Sequence, residues 1–346
     1  MTIKNILVHN LLEWYRGNQR DLPWRNQSDA YKIWVSEIIL QQTRVAQGWD
    51  YYLKFVRRFP DVRALATARE EEVLQLWQGL GYYSRARNMH VAAKQIVEHH
   101  KGIFPDDYAE ILRLKGIGRY TAAAIASIAY NIAVPAVDGN VLRVVSRFLG
   151  IFDDIATPQT YKVIENHCAK WIEDAPPGEF NQAMMELGAT CCKPKNPTCH
   201  NCPLNSQCYA FANEKTNVIP LKINKIKVKN RYFHFFIFIQ NEKILLEQRT
   251  HNDIWKKLFQ YPLIETKMEC ELPDKVMLKN LPAEKIGKII FKQELTHQLT
   301  HQKLYIRFYQ VEKFSEINSQ THFWVTLNQL SNYSLPVPLQ RIWENI

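Results

Sequence analysis

The chain has 346 residues, enough for two domains of ordinary size. Its hydrophobic content of 46% with only 12 glycines is typical of packed globular proteins and excludes a disordered chain. The formal net charge of +10 favours a polyanionic partner such as nucleic acid, because each lysine or arginine placed on a phosphate releases bound counterions.

The amino terminus lacks the features of a secretory signal, because its apolar run is short and no small-residue cleavage site follows it. The most apolar later segment, residues 121–137, includes Ser127, Asn131 and Pro135 and is too short and too polar to span a bilayer. We therefore expect a cytoplasmic protein without membrane contact, whose thiols stay reduced.

Two regions of different character follow one another along the chain. Residues 1–210 carry apolar residues at helical spacing, separated by short loops that contain Pro or Gly. Residues 211–225 are polar and basic, and we predict that they form a linker. Residues 226–346 begin with aromatic and β-branched runs on both sides of an Asn-Glu-Lys turn, which indicates a β-hairpin. The sequence thus predicts a helical domain over 1–210 and a mixed α/β domain over 226–346.

In the segment YKIWVSEIILQQTRV, which has a helical pattern, Glu37 interrupts an apolar face. The apolar residues of this face include Ile33, Trp34 and Ile38. A carboxylate at such a position is commonly exposed at the rim of the face or paired with a base. The alternative is a desolvated carboxyl with a raised pKa, which can donate a proton near neutral pH.

Gly116 and Gly118, in the segment LKGIGRY, precede a helix of small residues. Glycines allow a tight turn with outward-facing amides, and a helix N-terminus adds positive potential, so this turn can hold one backbone phosphate. An ordinary turn between two helices explains the same residues. The pair follows a helical segment and not a strand, which argues against a dinucleotide-binding fold.

Asp138 stands at the predicted start of the next helix, in the segment VPAVDGNV. Aspartate is a favoured N-cap, and capping alone explains its presence. The functional alternative is a carboxylate that stays ionised beside a developing cation. Together with Glu37 it would supply the two carboxyl groups with opposite protonation tasks that glycosidic cleavage requires.

Five of the seven cysteines lie between residues 191 and 208. An odd number of cysteines in a reducing compartment fits a disulfide framework poorly. Four of them, in a C-x6-C-x2-C-x5-C pattern, favour a [4Fe–4S] cluster over zinc, because zinc sites usually show two separated C-x2-C pairs or histidines. These four are Cys192, Cys199, Cys202 and Cys208. Cys191 competes with Cys192 for the first position, and a purely structural staple would suffice to explain the loop.

The cysteine spacing and the preceding segment FNQAMMELGA resemble the helix–hairpin–helix DNA glycosylases, the family that contains endonuclease III, and within it the adenine glycosylase branch. The resemblance extends over nearly the whole chain. It implies a mainly α glycosylase domain with a helix–hairpin–helix and a [4Fe–4S] cluster loop, followed by a C-terminal α+β Nudix-like domain. A Gly- and Glu-rich pyrophosphatase signature is absent from that second domain, so hydrolysis of nucleotides is not expected there.

The segments SEIILQQT and VDGNV resemble those that carry the two catalytic carboxyl groups in this branch. The resemblance implies that Glu37 protonates the adenine at N7 and that Asp138 stabilises the sugar cation, with Asn140 and Tyr120 positioning this chemistry. Endonuclease III-like enzymes carry a lysine nucleophile at the position of Tyr120. A phenol cannot form an imine, so we expect a monofunctional glycosylase that does not cut the strand.

The resemblance also implies contacts with a flipped base and its duplex. Gln41 and Gln42 would insert into the duplex as a polar wedge, and Gln182 would contact the adenine edge. The residues implied to contact DNA in the helical domain are Trp24, Arg25, Gln41, Gln42, Gly116, Gly118, Gln182 and Glu186. The Pro and Trp of the segment RDLPWR equally suit a packed loop.

The C-terminal domain contains LTHQ twice, so a lesion-reading motif can be aligned in two registers. The second copy directly precedes the strand KLYIRF, and we therefore assign the motif to Leu299, Thr300 and His301. In the family this loop is Phe-Ser-His and reads 8-oxoguanine opposite the adenine. Thr300 keeps the hydroxyl group, whereas Leu299 cannot stack as phenylalanine does, so lesion discrimination is the least defined part of the prediction.

The predicted function is removal of adenine mispaired with 8-oxoguanine or guanine in double-stranded DNA, by a monomer. Two alternatives remain at this point. A pyrimidine-lesion glycosylase with lyase activity is disfavoured by Tyr120 and by the additional C-terminal domain. A non-enzymatic iron–sulfur or zinc protein that senses DNA would not need two carboxyl groups beside a wedge.

Overall fold

The computed structural model describes residues 3–223 and 227–342, which form two compact units. The first consists of residues 3–68 and 88–223, and the second of residues 69–87 and 227–342. Asn224 and Lys225, at the end of the predicted linker, lie outside the described residues. The sequence analysis did not anticipate that segment 69–87 groups with the C-terminal residues. The boundaries at residues 210 and 225 stay a prediction.

The described part of the first unit contains only helices as regular elements, apart from one isolated β-bridge between Asp154 and Leu221. In chain order the α-helices of the described residues, in both units, are α1 (Ile3–Asn18), α2 (Ala30–Leu40), α3 (Val45–Arg58), α4 (Val62–Thr67), α5 (Glu70–Leu76), α6 (Ser84–His99), α7 (Tyr108–Arg113), α8 (Arg119–Tyr130), α9 (Gly139–Leu149), α10 (Pro158–Ile172), α11 (Pro177–Thr190), α12 (Tyr209–Ala212), α13 (Lys275–Leu278) and α14 (Val337–Gln340). Short 3₁₀ helices occupy Cys199–Asn201, Asn205–Gln207 and Leu327–Asn332. Helix α5 belongs to the second unit, with α13 and α14.

Acidic N-caps start several of these helices. Asp29 accepts hydrogen bonds from the backbone N–H groups of Tyr31 and Lys32, which satisfies donors that a helix leaves unpaired at its first turn. Asp138 caps α9 in the same way. At the other end of α8, Asn131 adopts a left-handed backbone conformation with φ of 57°, as is common where a helix stops.

Small residues allow α8, α9 and α11 to approach one another closely. A Cβ atom added at Gly178 of α11 would lie 2.9 Å from Cα of Ile128 in α8. A Cβ atom at Gly188 would lie only 2.5 Å from Cβ of Asn140 in α9. Any larger residue would push the helices apart, so these two glycines fix the spacing of the helices that carry the predicted site.

A hydrophobic core of the first unit lies between α1, α9, α10 and α11. Fully buried members include Leu11, Val145, Ile164 and Phe180. Helix α2 is buried on most sides and packs on α3 and α8. Burial of these apolar side chains contributes most of the stability of such a bundle, at roughly 25 cal/mol per Å² of apolar surface.

A sheet dominates the second unit. Its strands are β1 (Lys229–Gln240), β2 (Lys243–Gln248), β3 (Phe259–Gln260), β4 (Leu263–Thr266), β5 (Ile286–Gln298), β6 (Gln302–Phe314) and β7 (His322–Thr326). The order is β3-β2-β1-β6-β5, with β4 paired to β1 and β7 paired to β2. Strands β1 and β6 run parallel, while the other pairs are antiparallel.

The predicted hairpin at the start of this unit is confirmed. Gln240 pairs with Lys243, so the turn consists of Asn241 and Glu242, both with positive φ. Two-residue turns with this geometry match the twist of the flanking strands, and asparagine tolerates the conformation well. The strand predicted over KLYIRF also forms, as part of β6.

The predicted succession of a helical region and a mixed α/β region is confirmed. Among the helices of residues 3–223 and 227–342, none combines the length and the apolar character that crossing a bilayer requires.

Candidate active site

Glu37 lies on the last turns of α2, surrounded by the buried residues of that helix and by α8. The residue keeps some solvent exposure, while the protein around it desolvates the carboxyl group. Burial raises the pKa of Glu37 to about 7, and the negative charge of Asp138 adds to this, against the hydrogen bond from Tyr120 and the charge of Arg25. Glu37 is therefore the desolvated carboxyl group with a raised pKa that the sequence analysis considered. Among the described residues, no ion pair keeps it ionised.

Asp138 caps α9 and is more heavily hydrogen-bonded than Glu37. Its Oδ1 accepts from the backbone N–H groups of Asn140 at 2.9 Å and Val141 at 2.8 Å, and its Oδ2 accepts from Nδ2 of Asn140 at 2.8 Å. Burial raises the pKa of Asp138, while these three hydrogen bonds lower it. Asp138 can therefore be both a helix N-cap and an ionised carboxylate, because the hydrogen bonds that cap the helix also stabilise its charged form.

Tyr120 joins α8 to the carboxyl of Glu37. Its hydroxyl donates to Oε2 of Glu37 at 2.6 Å and lies 3.1 Å from the sulfur of Met185 on α11. Burial, and then the nearby charge of Glu37, raise the pKa of Tyr120 well above its ordinary value. The phenol therefore stays protonated and acts as a donor at all ordinary pH values.

Glu186 is a buried carboxylate on α11, and its side chain has no solvent exposure. Arg20 donates to both of its oxygens, at 2.6 and 2.9 Å, and Arg25 donates to Oε2 at 2.8 Å. Burial by itself would raise the pKa of Glu186, but the Arg20 hydrogen bonds and the Arg25 charge hold it below its ordinary value. Glu186 is therefore ionised and fixes Arg20 and Arg25.

Tyr15 connects Arg25 with Gln182. Arg25 donates to the Tyr15 hydroxyl and its guanidinium lies 5.4 Å from the centre of the Tyr15 ring. The Tyr15 hydroxyl in turn donates to Oε1 of Gln182 at 3.4 Å, and the Gln182 amide donates to the carbonyl of Gly178 at 3.3 Å. The sequence analysis missed Tyr15, because an amphipathic helix with a tyrosine carries no signal of its partner.

Trp24 is buried and packs edge to face against Trp49 and Tyr52, with ring centres 6.1 and 5.4 Å apart. This is the packed-loop alternative of the sequence analysis. Its predicted contact with DNA stays a prediction, and its visible role is to hold the loop that presents Arg25.

The predicted wedge residues follow the end of α2. The amide of Gln41 donates to Oγ1 of Thr121 on α8 at 3.1 Å. Gln42 is exposed and has a φ of 58°, a left-handed conformation that is uncommon outside glycine and asparagine. Such strained and exposed positions occur preferentially at binding sites.

Gly116 and Gly118 form the turn between α7 and α8. Gly116 has a φ of +79°, and a Cβ atom there would lie 2.5 Å from Cβ of Asn88, so only glycine fits. Gly118 is the N-cap of α8, has open space around its Cα, and leaves the helix without a side-chain cap. The turn therefore presents backbone amides to solvent, as a phosphate contact would need.

The cysteine loop runs from the end of α11 to the start of α12 and encloses a small cavity. The side chains around it include Cys191, Cys192, Cys199, Cys202 and Cys208. The backbone amides of Ala210 and Phe211 donate to the Cys208 sulfur, and that of Leu204 donates to the Cys202 sulfur. Amide donors of this kind surround metal-bound thiolates. Within residues 3–223 and 227–342, no three His, Cys, Asp or Glu side chains lie close enough to hold a single metal ion.

Two arginines of α9 bind this loop. Arg143 donates to the carbonyl of Cys192 at 2.8 Å and to Oδ1 of Asn140 at 2.8 Å. Arg147 donates to the Cys192 sulfur at 3.3 Å and to the carbonyl of Lys193 at 2.8 Å. The helix that starts at Asp138 is thus joined directly to the cysteines, a connection that the sequence analysis did not predict.

The predicted lesion motif forms the hairpin between β5 and β6 in the second unit. The N–H of Leu299 donates to the carbonyl of Gln302 at 2.8 Å, which closes the turn. The carbonyl of His301 accepts from the N–H of Lys229 at 2.9 Å, and the hydroxyl of Thr300 is hydrogen-bonded to that of Tyr82. Thr300 and His301 are both exposed.

Tyr82 is a further candidate that the sequence analysis missed. It is 45% exposed, has a φ of 47° and follows Gly79 and Gly81, which also have positive φ. Its ring lies under the guanidinium of Arg85, 5.8 Å from the ring centre. An exposed aromatic ring on a strained backbone is a platform for stacking. The signal was present in the segment GLGYY, but two glycines before an aromatic pair also fit an ordinary turn.

In the first unit, direct contacts join several of the predicted site residues in small groups. Glu37, Tyr120 and α11 meet at one point, while Asp138 and Asn140 stand at the start of α9, and α11 contacts both α8 and α9. Gln182 and Glu186 lie one turn apart on α11, and Arg25 binds Glu186 directly and Gln182 through Tyr15.

Comparison with known proteins identifies this arrangement. The family model described as "HhH-GPD superfamily base excision DNA repair protein" matches residues 35–174, and the model for the NUDIX domain matches residues 234–345. The adenine DNA glycosylase of Buchnera aphidicola subsp. Acyrthosiphon pisum is 36% identical over 348 residues, covering 99% of this chain and 98% of that protein. The chain belongs to the adenine DNA glycosylase family. It is thus a DNA N-glycosylase of base excision repair, and its partner is DNA.

Other members of the adenine DNA glycosylase family match over shorter lengths. The adenine DNA glycosylase of Mus musculus is 48% identical over 212 residues, which is 58% of this chain and 41% of that protein. The fold of the helical domain is that of a thermostable thymine-DNA glycosylase, with a TM-score of 0.55 and 24% identity over 61% of this chain and 97% of the other. Endonuclease III trapped on DNA gives a TM-score of 0.51 and 23% identity, over 62% and 99%. The predicted fold class, a helix–hairpin–helix domain followed by a Nudix-like domain, is confirmed.

Proposed function

We propose that this glycosylase removes adenine paired with 8-oxoguanine or guanine in duplex DNA, and that Glu37 and Asp138 share the chemistry. The observation that carries the proposal is the difference between the two carboxyl groups. Glu37 has one hydrogen-bond donor and a pKa raised to about 7, whereas Asp138 is held by three donors. One group is suited to hold a proton at neutral pH and the other to remain ionised.

In the proposed reaction, protonated Glu37 gives its proton to N7 of the flipped adenine. The bond between the base and the sugar then breaks, and its electron pair leaves with the base, which removes the positive charge that protonation placed there. Tyr120 donates to the Glu37 carboxyl throughout, because its own pKa is far above neutral. Glu37, now ionised, can accept a proton from the water that attacks the sugar.

Asp138 stabilises the oxocarbenium ion that remains on the sugar. Its carboxylate oxygens are oriented by Asn140 and Val141, so they need no rearrangement when the positive charge develops. Arg143 holds Asn140 by its Oδ1, which leaves the Asn140 amide group free to point its N–H at Asp138. Preorganisation of this kind typically contributes a factor of about 10² to 10³ in rate for one donor.

We further propose that the enzyme is monofunctional. Tyr120 stands in the segment where the strand-cutting relatives carry a lysine, and its hydroxyl is engaged with Glu37. A phenol cannot form the imine that leads to strand scission. Release of adenine should therefore leave an intact backbone with an abasic site.

Recognition of the flipped adenine is proposed for Gln182, with Arg25 and Glu186 beside it. The amide of Gln182 can donate to and accept from a base edge, and Arg25 is fixed in place by Glu186. Gln41 and Gln42 would fill the space that the base leaves, and the turn at Gly116 and Gly118 would hold one phosphate of the backbone. The cation of Arg25 and the +10 net charge favour binding to a polyanion.

The opposite base is proposed to be read by Leu299, Thr300 and His301. Thr300 and His301 are exposed and polar, and the hydroxyl of Tyr82 is bonded to Thr300. The ring of Tyr82 offers a stacking surface beside the hairpin. Such contacts would distinguish 8-oxoguanine from guanine by hydrogen bonds at its edge.

A [4Fe–4S] cluster is proposed to be held by Cys192, Cys199, Cys202 and Cys208. Three properties of the loop fit such a group: its cysteines line one cavity, backbone amides donate to two of the sulfurs, and Arg147 donates to the Cys192 sulfur. The single C-x2-C pair of this loop suits a multi-iron cluster better than one zinc ion, whose sites usually show two separated pairs. When bound, the cluster would hold the loop in one rigid conformation. Arg143 contacts both this loop and Asn140, so it would in turn hold Asn140 in place.

The proposal is tested with excess enzyme on a labelled duplex that contains one 8-oxoguanine·adenine pair. Half of each sample is treated with alkali, which cuts abasic sites, and a thymine-glycol duplex and an adenine·thymine duplex run beside it. We expect cleavage only after alkali and only on the adenine strand of the mispair. We also expect the enzyme to bind this duplex as a monomer, which light scattering measures. We further propose that it acts on DNA in the cytoplasm.

Three outcomes contradict parts of the proposal separately. Scission of the thymine-glycol duplex without alkali would place the chain with the lyases. Equal excision opposite 8-oxoguanine and guanine would remove the proposed role of the hairpin at 299–301. Retained binding without excision on any duplex would leave a DNA-binding protein without catalysis.

A further inference from the structure

The hydroxyl of Tyr15 on α1 has a single proton, and its two hydrogen-bond partners among the described residues decide where that proton points. Arg25 donates from Nη1 to the Tyr15 oxygen, and a guanidinium group has no acceptor. The proton of Tyr15 therefore points to its second partner, Oε1 of Gln182, at 3.4 Å. Tyr15 is 3% exposed, so water has little access to it, and burial raises the pKa of the phenol, which keeps its proton.

Glu186 fixes the other end of this chain of hydrogen bonds. Its side chain has no solvent exposure, and it accepts from Nη2 of Arg25 at 2.8 Å. Because the guanidinium is planar and rigid, the bond to Glu186 also fixes the direction of the N–H that Arg25 offers to Tyr15. The buried carboxylate thus orients Arg25, and Arg25 orients the Tyr15 hydroxyl.

The side-chain amide of Gln182 is held at both its oxygen and its nitrogen. Oε1 accepts from Tyr15, and Nε2 donates to the carbonyl of Gly178 at 3.3 Å. An amide turned over would place Oε1 against the Gly178 oxygen and Nε2 against a hydroxyl whose proton points at it. Both hydrogen bonds would be lost, and two oxygens would face each other without a proton between them. Only one of the two amide orientations therefore fits these neighbours.

We propose that Tyr15 is a positioning residue, which fixes the amide orientation of Gln182 and thereby makes the enzyme prefer adenine to bases with a reversed hydrogen-bonding edge. The inference rests on the proposed contact between Gln182 and the flipped adenine. It adds a residue of α1, which itself need not touch the base, to the determinants of base specificity.

An amide that cannot turn over distinguishes the direction of the hydrogen bonds on a base edge. After its bonds to Tyr15 and Gly178, Gln182 keeps one N–H donor and one oxygen lone pair for a ligand. Adenine presents an amino donor at N6 next to an acceptor nitrogen, which matches a single amide orientation. Hypoxanthine has nearly the same shape, but its O6 accepts where the adenine amino group donates. Hypoxanthine also keeps N7, so a difference between the two bases reports recognition and not protonation by Glu37.

The test compares the wild type with Tyr15→Phe, in excess over labelled duplexes that carry adenine or hypoxanthine opposite 8-oxoguanine. Phenylalanine keeps the ring in the apolar core and removes only the hydroxyl that joins Arg25 to Gln182. We expect adenine excision to slow by roughly 3- to 10-fold, the value of about one hydrogen bond. The ratio of adenine to hypoxanthine excision should decrease by at least the same factor, while the affinity for a duplex without a mispair stays unchanged. Tyr15→Met replaces this variant if phenylalanine lowers the yield of folded protein.

A double-mutant cycle with Gln182→Ala separates this role from a general loss of structure. If Tyr15 acts through Gln182, Tyr15→Phe should slow adenine excision in the wild type and have no further effect once Gln182 is absent. A purely structural effect would lower the rate by the same factor in both backgrounds. Tyr161→Phe is the matched control, because Tyr161 on α10 packs against the same apolar core, and it should change neither the rate nor the base preference.

Three results would overturn different parts of this inference. Equal effects of Tyr15→Phe in both backgrounds, or an unchanged ratio of adenine to hypoxanthine excision, would show that Tyr15 does not act on the Gln182 amide. Normal excision by Gln182→Ala would remove the proposed contact between Gln182 and the base. Absence of adenine excision by the wild type would overturn the proposed activity itself, before any variant is compared.

Discussion

The hydroxyl of Tyr120 donates a hydrogen bond of 2.6 Å to Oε2 of Glu37. This single contact orients the carboxyl group and lowers its pKa, while burial raises the same pKa to about 7. The result is a carboxyl group that is near half protonation at neutral pH, which is the condition under which a general acid works best. Three of the predictions below depend on this balance.

Replacing Glu37 with Gln should abolish excision while binding of the duplex is retained. The amide has nearly the same shape but cannot give a proton to the base, and general acid catalysis contributes a factor of about 10² to 10⁴. Single-turnover rates and gel-shift affinities on the 8-oxoguanine·adenine duplex measure the two effects. Glu98→Gln, at an exposed carboxyl on α6, is the control and should leave both unchanged. Near-normal excision by Glu37→Gln would remove Glu37 from the reaction.

The rate of excision should fall as pH rises above about 7, because only protonated Glu37 can act as the acid. In Tyr120→Phe the hydrogen bond that lowers the pKa of Glu37 is absent, so this alkaline limb should move to higher pH. Tyr130→Phe removes a hydroxyl at the far end of the same helix, which donates to the carbonyl of Phe104, and should not move it. An unchanged limb in Tyr120→Phe would show that Tyr120 does not act on Glu37.

Glu37 should also make the free protein less stable at alkaline pH. The folded protein keeps a proton on Glu37 between its ordinary pKa of 4.5 and about 7, whereas the unfolded chain has released it. Stability is therefore fully present below that window and decreases as pH rises through it, by up to about 3 kcal/mol before partial exposure reduces the effect. Melting temperatures at pH 5 and pH 8 should show a larger decrease for the wild type than for Glu37→Gln. Parallel decreases would mean that burial does not perturb this carboxyl group.

Gly188→Ala should separate α9 from α11 and reduce activity. The added methyl group would lie 2.5 Å from Cβ of Asn140, and overpacking of this kind destabilises by about 1 to 3 kcal/mol. Because Asn140 orients Asp138, the excision rate should fall more than the affinity for DNA. Gly17→Ala, near the end of α1 with open space around its Cα, is the control and should retain full activity. A fully active Gly188→Ala variant would show that the spacing of these helices is not needed.

Arg231→Met should destabilise the second unit. Arg231 is buried and donates to Asp253 and Glu265 by two bonds each, at 2.7 to 2.8 Å, and to Gln302 at the base of the lesion hairpin at 3.1 Å. In the variant, the carboxylates of Asp253 and Glu265 lose their hydrogen bonds to the Arg231 cation. The free energy of unfolding should decrease by about 2 kcal/mol, less than for a fully buried pair, because both carboxylates are partly exposed. Thermal unfolding measures the loss, and the ratio of excision opposite 8-oxoguanine to excision opposite guanine should decrease. The exposed pair of Arg16 and Glu179 provides the control, since Arg16→Met should change neither.

The local features of the site could be predicted from the sequence, because each depends on neighbouring residues. Asp138 as a helix cap, the glycine turn before α8 and the interruption of an apolar face by Glu37 all follow from short segments. The hairpin at Asn241 and Glu242 is likewise encoded in the turn and its flanking strands.

The remaining features depend on contacts between residues distant in the chain, and no periodicity reports them. Arg143 contacts Cys192, which is 49 positions away, and Tyr15 contacts Gln182 across 167 positions. The packing of Gly188 against Asn140 is also invisible in either segment alone. Arg143 and Tyr15 lie on helices whose pattern explains them as ordinary amphipathic positions, so only the tertiary structure reveals their second role.

Gln42 has a left-handed backbone conformation, with a φ of 58°. A conformation of this type costs about 1 to 3 kcal/mol relative to an extended or helical one. That free energy is drawn from the folding of α2 and its surroundings, so it is not subtracted from the affinity when a duplex arrives. In its proposed role as a wedge, Gln42 then needs no change of backbone conformation, and the association rate should be limited by diffusion and by unstacking of the base.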